Sequence, residues 1–302
     1  LKKRTKKLLD IWTRAGPGAA ARDSGAALLL ALWAMMAMAS IVAGMRVLGL
    51  REATLAEARL EQAQLVASAD AMIDLTILRL LDLGTPGHPP TDGTTTQLRF
   101  AGATGDVSVQ DESGKIDLNQ APGPLLTAFL QSRGIDFDAA QSLAEKIQDW
   151  REPGAGRRLN GAKAEDYRRA GYAYGPRGAR MESVDELRLV MGMTPSLFDT
   201  LAPALTVVSQ NAWPDPAVAP DTVLRALPGM DDARIAGMEA ARAARLVTEP
   251  DGTVADSQAP PTLGRAFAVG VRIAGRTAGV QRHALVRLTG IPAAPLVIYA
   301  WQ

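Results

Sequence analysis

The sequence predicts an α+β protein in which a long N-terminal helix packs on a small antiparallel sheet, and a large all-helical domain is inserted between the strands. Three observations predict it. Residues 26–83 contain no proline and pass from an apolar run into three- and four-residue apolar spacing. Short segments of period two lie at 96–119 and return only at 266–301. Between them run paired helical segments joined at glycines.

The chain begins with a basic stretch. Residues 1–25 hold Lys2, Lys3, Arg4, Lys6, Lys7, Arg14 and Arg22 against two acids, so the remainder of this 302-residue chain carries about −4 although the whole is +1. No broad basic field is left to attract nucleic acid. Cysteine is absent, which excludes disulfides, thiolate metal sites and cysteine nucleophiles. From Ala26 to Met45 there is no charge; about 20 residues at 1.5 Å each cross the ~30 Å hydrocarbon core of a bilayer. The preceding Lys and Arg keep the N-terminus cytoplasmic and place the chain beyond Arg46 outside. A cleaved secretory signal is the competing reading, because Ala37-Met38-Ala39 has the small-residue pattern of a cleavage site. Against it, the apolar run continues through "IVAGM" and "VLGL", where a mature secreted chain turns polar.

Beyond the span, Leu55, Ala58, Leu65, Ala69, Met72, Ile73 and Leu80 recur at helical spacing, with Glu52, Glu57, Arg59, Glu61 and Asp70 between them. Nothing breaks the pattern, so residues 26–83 read as one helix, about 87 Å long at 1.5 Å per residue. Gly84, Pro86, Gly87, Pro89 and Pro90 end it. Residues 84–119 form the first part of the β domain, with strands in "TQLRFAG", "DVSVQDE" and "KIDLN" and a tight turn at Ser113-Gly114. Residues 120–255 form the helical insert, and 256–302 return to the sheet in "AFAVGVRIAG", "GVQRHALVRLTG" and "PLVIYAW".

The insert has three helix–turn–helix repeats, turning at Gly134, Gly192 and Gly229. In the second, Ser183 is the N-cap and Glu186 completes a capping box. Such units resemble helix-hairpin-helix modules, which bind phosphates through backbone N–H groups, so a membrane-anchored DNA-binding protein is the alternative function. The turns Gly192-Met193-Thr194 and Gly229-Met230-Asp231 argue against it: each lacks a second glycine, and Asp231-Asp232 sets two carboxylates against phosphate. Two compact repeats packed by Leu187, Val190, Leu201, Leu224 and Leu227 are the structural alternative. Enzyme signatures are missing: His88 and His283 lie in unrelated contexts, and there is no nucleophile elbow, phosphate loop or zinc-protease motif. Tyr167, Tyr172 and Tyr174 read as packing.

"DESGKIDLNQAP", then "IQDWRE", then "SVDELRLVMGMTPSLFDTLAPALTV" resemble, in that order, the K-type minor pseudopilins of type II secretion systems. The resemblance implies a pilin-like fold and cleavage at Gly25–Ala26 by a prepilin peptidase, with N-methylation of Ala26. It implies a single-pass protein of the bacterial inner membrane, with a cytoplasmic N-terminus and a periplasmic C-terminal domain. Its partners would be I-type and J-type minor pseudopilins, the major pseudopilin, the prepilin peptidase and the inner-membrane assembly platform, with no nucleic acid. The implied role is structural rather than enzymatic, starting and capping the pseudopilus tip, with no ATP or redox cofactor acting on the chain. Leu30 stands at the fifth mature position, where most pilin-like subunits carry a glutamate thought to pair with a neighbour's N-terminal amine; an unpaired buried carboxylate is costly. The family also binds calcium, for which Asp149, Glu152, Glu165 and Asp166 are the nearest ligands here. Arg157 and Arg158 stand where further acids are expected.

Overall fold

The computed structural model describes residues 19–82, 88–154, 156–249, 252–258, 261–276 and 278–302. Most of the basic leader, and Gly84, Pro86 and Gly87 of the helix stop, lie outside these residues. Helix α1 runs Ala19–Leu81, so it begins ahead of Ala26; Ala19, Ala20 and Ala21 favour helix and nothing at Gly25 interrupts it. The chain divides within α1 into two units, residues 1–61 and 62–302. In the first, every side chain from Gly25 to Arg46 is exposed.

In the second unit, the rest of α1 lies against a five-stranded antiparallel sheet. Its strands are β1 (Asp92–Phe100), β2 (Ala103–Asp111), β7 (Ala266–Ile273), β8 (Val280–Leu288) and β9 (Leu296–Trp301), in the order β1-β2-β7-β8-β9. Period-two strands point alternate residues at α1, and Ala69, Met72, Ile73, Ile77 and Leu80 meet Val107, Val109, Phe267, Val269, Val271 and Val286. The predicted face of the helix is therefore the buried one from Ala69 onward, whereas Leu55 is exposed. Polar contacts fix the register. Asp70 accepts from Arg282 Nε at 2.9 Å and Trp301 Nε1 at 3.1 Å, and Thr262 donates to the Leu80 carbonyl at 2.7 Å.

Between β2 and β7 the chain leaves the sheet. Strand β3 (Ile116–Asp117) pairs in parallel with β4 (Leu205–Thr206), and the helices are α2 (Gly123–Ser132), α3 (Phe137–Arg151), α4 (Ala164–Arg169), α5 (Pro195–Leu201), α6 (Asp221–Leu224) and α7 (Asp232–Arg245). A short hairpin, β5 (Leu246–Thr248) with β6 (Val254–Asp256), comes next. The insert has its own core, in which Leu125, Phe129, Leu143, Trp150, Tyr167, Leu187 and Leu224 are buried.

Two sequence expectations change here. "KIDLN" is not a third strand of the main sheet, because β7 occupies that edge of β2, from Asp106 opposite Arg272 to Asp111 opposite Phe267. Ser113-Gly114 is not a hairpin turn but part of a 3-10 turn over Glu112–Gly114. Gly114 is needed for close approach: a Cβ there would sit 2.4 Å from the Val218 carbonyl oxygen. The hairpin turn is instead at Ala101-Gly102, with φ of 49° and 84°.

Candidate functional site

The apolar stretch of the first unit carries Gly25, Ala26 and Leu30 within α1, all exposed, Leu30 at 70%. With them Leu28, Leu29, Leu32, Trp33, Met35, Met36, Met38 and Ile41 leave an apolar surface uncovered by the chain itself. Its 22 residues, Gly25–Arg46, fit a single membrane span. A Cβ at Gly25 would meet nothing within 4 Å. Glycine inside a helix costs about 1 kcal/mol relative to alanine, so packing within the chain does not account for it.

The sequence motifs that opened the insert resolve into backbone clamps. Buried Asp111 accepts from Arg265 Nη1 at 2.8 Å, and the same nitrogen reaches Ser113 Oγ at 3.2 Å and Asp215 at 3.3 Å. Because Asp111 and Phe267 are paired across the sheet, this contact closes the neck where the insert leaves and rejoins it. Burial alone would lower the Arg265 pKa, but its hydrogen bonds and charge contacts with Asp111 and Asp215 outweigh that and raise it. Asp117, also buried, accepts from the Asn119 and Gln210 N–H groups, each at 2.7 Å. Asn119 accepts from the Met181 N–H at 2.7 Å and donates to its carbonyl at 2.9 Å. Buried polar groups of this kind specify one chain path because each is satisfied only in that path.

The four expected calcium ligands are held by cations of the chain. Asp149, with no exposed surface, accepts from Arg158 Nη1 at 2.8 Å and from the Arg158 N–H at 3.2 Å. Arg158 Nη2 donates to both Glu152 oxygens at 2.7 Å. Asp166 caps α4 by accepting from the Lys163 N–H at 2.9 Å and also meets Arg169 at 3.2 Å. Its pKa is lowered, chiefly by that backbone N–H. Glu165 pairs with Arg169 at 2.9 Å. The structure thus joins Asp149 and Glu152 through Arg158 and engages Glu165 and Asp166 at α4 itself. Among the described residues no group of three or more His, Cys, Asp or Glu side chains could hold a metal ion. Calcium takes six to eight oxygens, and this donor set does not fit it.

The helix-turn-helix glycines adopt positive φ, 85° at Gly134, 94° at Gly192 and 72° at Gly229. At the last of these, Asp231 caps α7 by accepting from the Arg234 N–H at 2.8 Å, and Asp232 pairs with Arg225. The carboxylates thus occupy the N-terminus that a phosphate would need. Before Gly192 the chain forms a 3-10 turn, Val184–Leu189, rather than an α-helix. Ser183 caps it, but Glu186 does not close the expected box: it accepts from the Glu182 N–H at 2.6 Å and from Arg177 at 2.8 Å. His88 bonds the Arg79 carbonyl at 3.0 Å, and His283 meets Gln281 on β8 at 2.8 Å. The tyrosines pack as expected, with Tyr167 and Tyr174 ring centroids 5.9 Å apart.

Residues 107–210 match the family described as type II secretion system (T2SS), protein K. The match covers about a third of the chain, 104 of its 302 residues. The matched stretch runs from β2 past β4, so it takes in Asp111 and Ser113 on one side of the neck, the Asp149 loop and the turn at Gly192. The fold is shared with a chain in the crystal structure of the GspK-GspI-GspJ complex from the enterotoxigenic Escherichia coli type 2 secretion system. The TM-score is 0.51 and the identity 14%, over 82% of this chain and 98% of that one. No curated protein matches the chain.

Proposed function

We propose that the chain is a minor pseudopilin of a type II secretion system, anchored in the inner membrane with its cytoplasmic leader removed at Gly25–Ala26 and its second unit in the periplasm. It assembles with I-type and J-type partners at the pseudopilus tip, and its role is structural. The observation that carries the reading is the protein K match over residues 107–210. The uncovered apolar surface from Gly25 to Arg46 supports the anchor. Exposed Leu55 and Leu60, further along α1, offer apolar surface for helices of neighbouring subunits. The solved complex named for GspK, GspI and GspJ motivates the choice of partners.

N-terminal mass spectrometry of the membrane-extracted protein tests the processing. The expected product begins at methylated Ala26. A start at Ser40, or an intact leader in cells with active prepilin peptidase, rejects it. Co-purification with I-type and J-type subunits tests the tip role separately, and failure to form a ternary complex rejects that role.

A further inference from the structure

The loop from α3 to α4 gathers the oxygens that a hard cation would take and gives them to two side chains. Arg158 bridges the Asp149 and Glu152 carboxylates. Lys163 Nζ donates to the main-chain carbonyls of the same two residues, at 2.8 Å to Asp149 and 2.9 Å to Glu152. Two carboxylates and two carbonyls at the C-terminal end of α3, where the helix dipole already favours positive charge, are thus all occupied. The backbone packs closely on Asp149: a Cβ on Gly161 would lie 2.0 Å from Asp149 Oδ2. The loop backbone leans on the same helix, with the Asn160 N–H donating to Glu145 at 2.6 Å and the Asn160 carbonyl accepting from Ser142 Oγ at 3.1 Å.

We infer that Arg158 and Lys163 are internal cations which hold this loop in place of a divalent metal, so that the insert folds to its working form without calcium. A metal ion entering the same oxygens would face a guanidinium and an ammonium at contact distance and would have to displace both. Removing Lys163 takes the side-chain donor from two main-chain carbonyls, and removing the Arg158 guanidinium leaves the Asp149 carboxylate, which has no exposed surface, with a backbone N–H but without its cation. Arg158 closes the side-chain half of the cage and Lys163 the main-chain half.

Amide hydrogen exchange of the full chain in detergent tests the inference, read at Arg158, Asn160 and Gly161, whose N–H groups bond Asp149, Glu145 and the Arg158 carbonyl. In the parent protein these amides should exchange at the same rate in millimolar calcium chloride and in excess chelator. In Arg158→Met and Lys163→Met they should exchange at least tenfold faster, while Val269 and Val271 in β7 stay protected. Arg158→Lys keeps a charge but lacks the guanidinium fork, and serves as the milder variant if β7 also opens; its loop should exchange at an intermediate rate. Calcium-dependent protection in the parent protein, or variants with unchanged loop exchange, would overturn the inference.

Discussion

The Tyr167 hydroxyl accepts the Met191 N–H at 2.8 Å while its ring is buried beside Trp150, Tyr172 and Tyr174. Burial, the largest cause, pushes its pKa up to about 12 from an ordinary 10. A folded-state pKa above the unfolded value means the folded state binds the proton more tightly. The contribution is therefore complete below about pH 10 and is lost as pH rises toward about 12. Tyr167→Phe should flatten this alkaline loss of stability. It should also cost about 1–2 kcal/mol at neutral pH, because the Met191 N–H loses its acceptor. Urea titrations at several pH values compare the two proteins, and equal alkaline slopes would count against the assignment. The tyrosine cluster is readable as packing from its composition. The hydroxyl's partner, 24 residues away across the insert, has no local sequence signal.

At the scale of elements, the neck of the insert depends on Arg265. Arg265→Met keeps an apolar stem but leaves the Asp111 carboxylate buried without its cation, a change of about 3–5 kcal/mol. Chemical unfolding should show the loss, and a change below about 1 kcal/mol would mean that Asp111 finds water or another donor. The β1–β2 turn offers a gain instead. Ala101 holds a left-handed φ of 49°, which costs an L-residue about 1–2 kcal/mol; Ala101→Gly removes it and adds about 0.4–1 kcal/mol of unfolded-chain entropy. A net stabilisation of about 0.5–1 kcal/mol, read as a raised midpoint of unfolding, is expected. These two sites mark what the sequence can and cannot disclose. Period-two patterning exposes five strand segments of the main sheet, and helical spacing exposes the buried face of α1, because burial writes a repeat into the chain. Ala101 reads as strand since hairpin turns usually announce themselves with Asn or Asp. "KIDLN" alternates like a strand and is one, but its partner is β4, 89 residues on, and alternation says nothing of partners. At the candidate site the carboxylates are visible in the sequence while their cations are not: Arg158 reads as a missing acid, although it is the group that binds Asp149 and Glu152.

For the whole molecule, the proposed tip role turns on an uncharged residue, Leu30, in the apolar stretch of α1. Leu30 is 70% exposed on a helix whose neighbours Leu28, Leu29 and Trp33 are also uncovered, so no other part of this chain covers it. An unpaired carboxylate within a membrane span is costly. On the proposed tip role, a glutamate at this position that needed an amine from a subunit above would find none. Leu30→Glu should therefore bring cost without gain: less full-length chain resistant to alkaline extraction of membranes, and no increase in co-purification with I-type and J-type subunits. Leu30→Gln, polar but uncharged, should fall between the parent and the glutamate variant in extraction. An outcome in which Leu30→Glu enters pseudopili in greater amount, at positions along the shaft, would show that an amine does lie within reach, and would remove the chain from the tip.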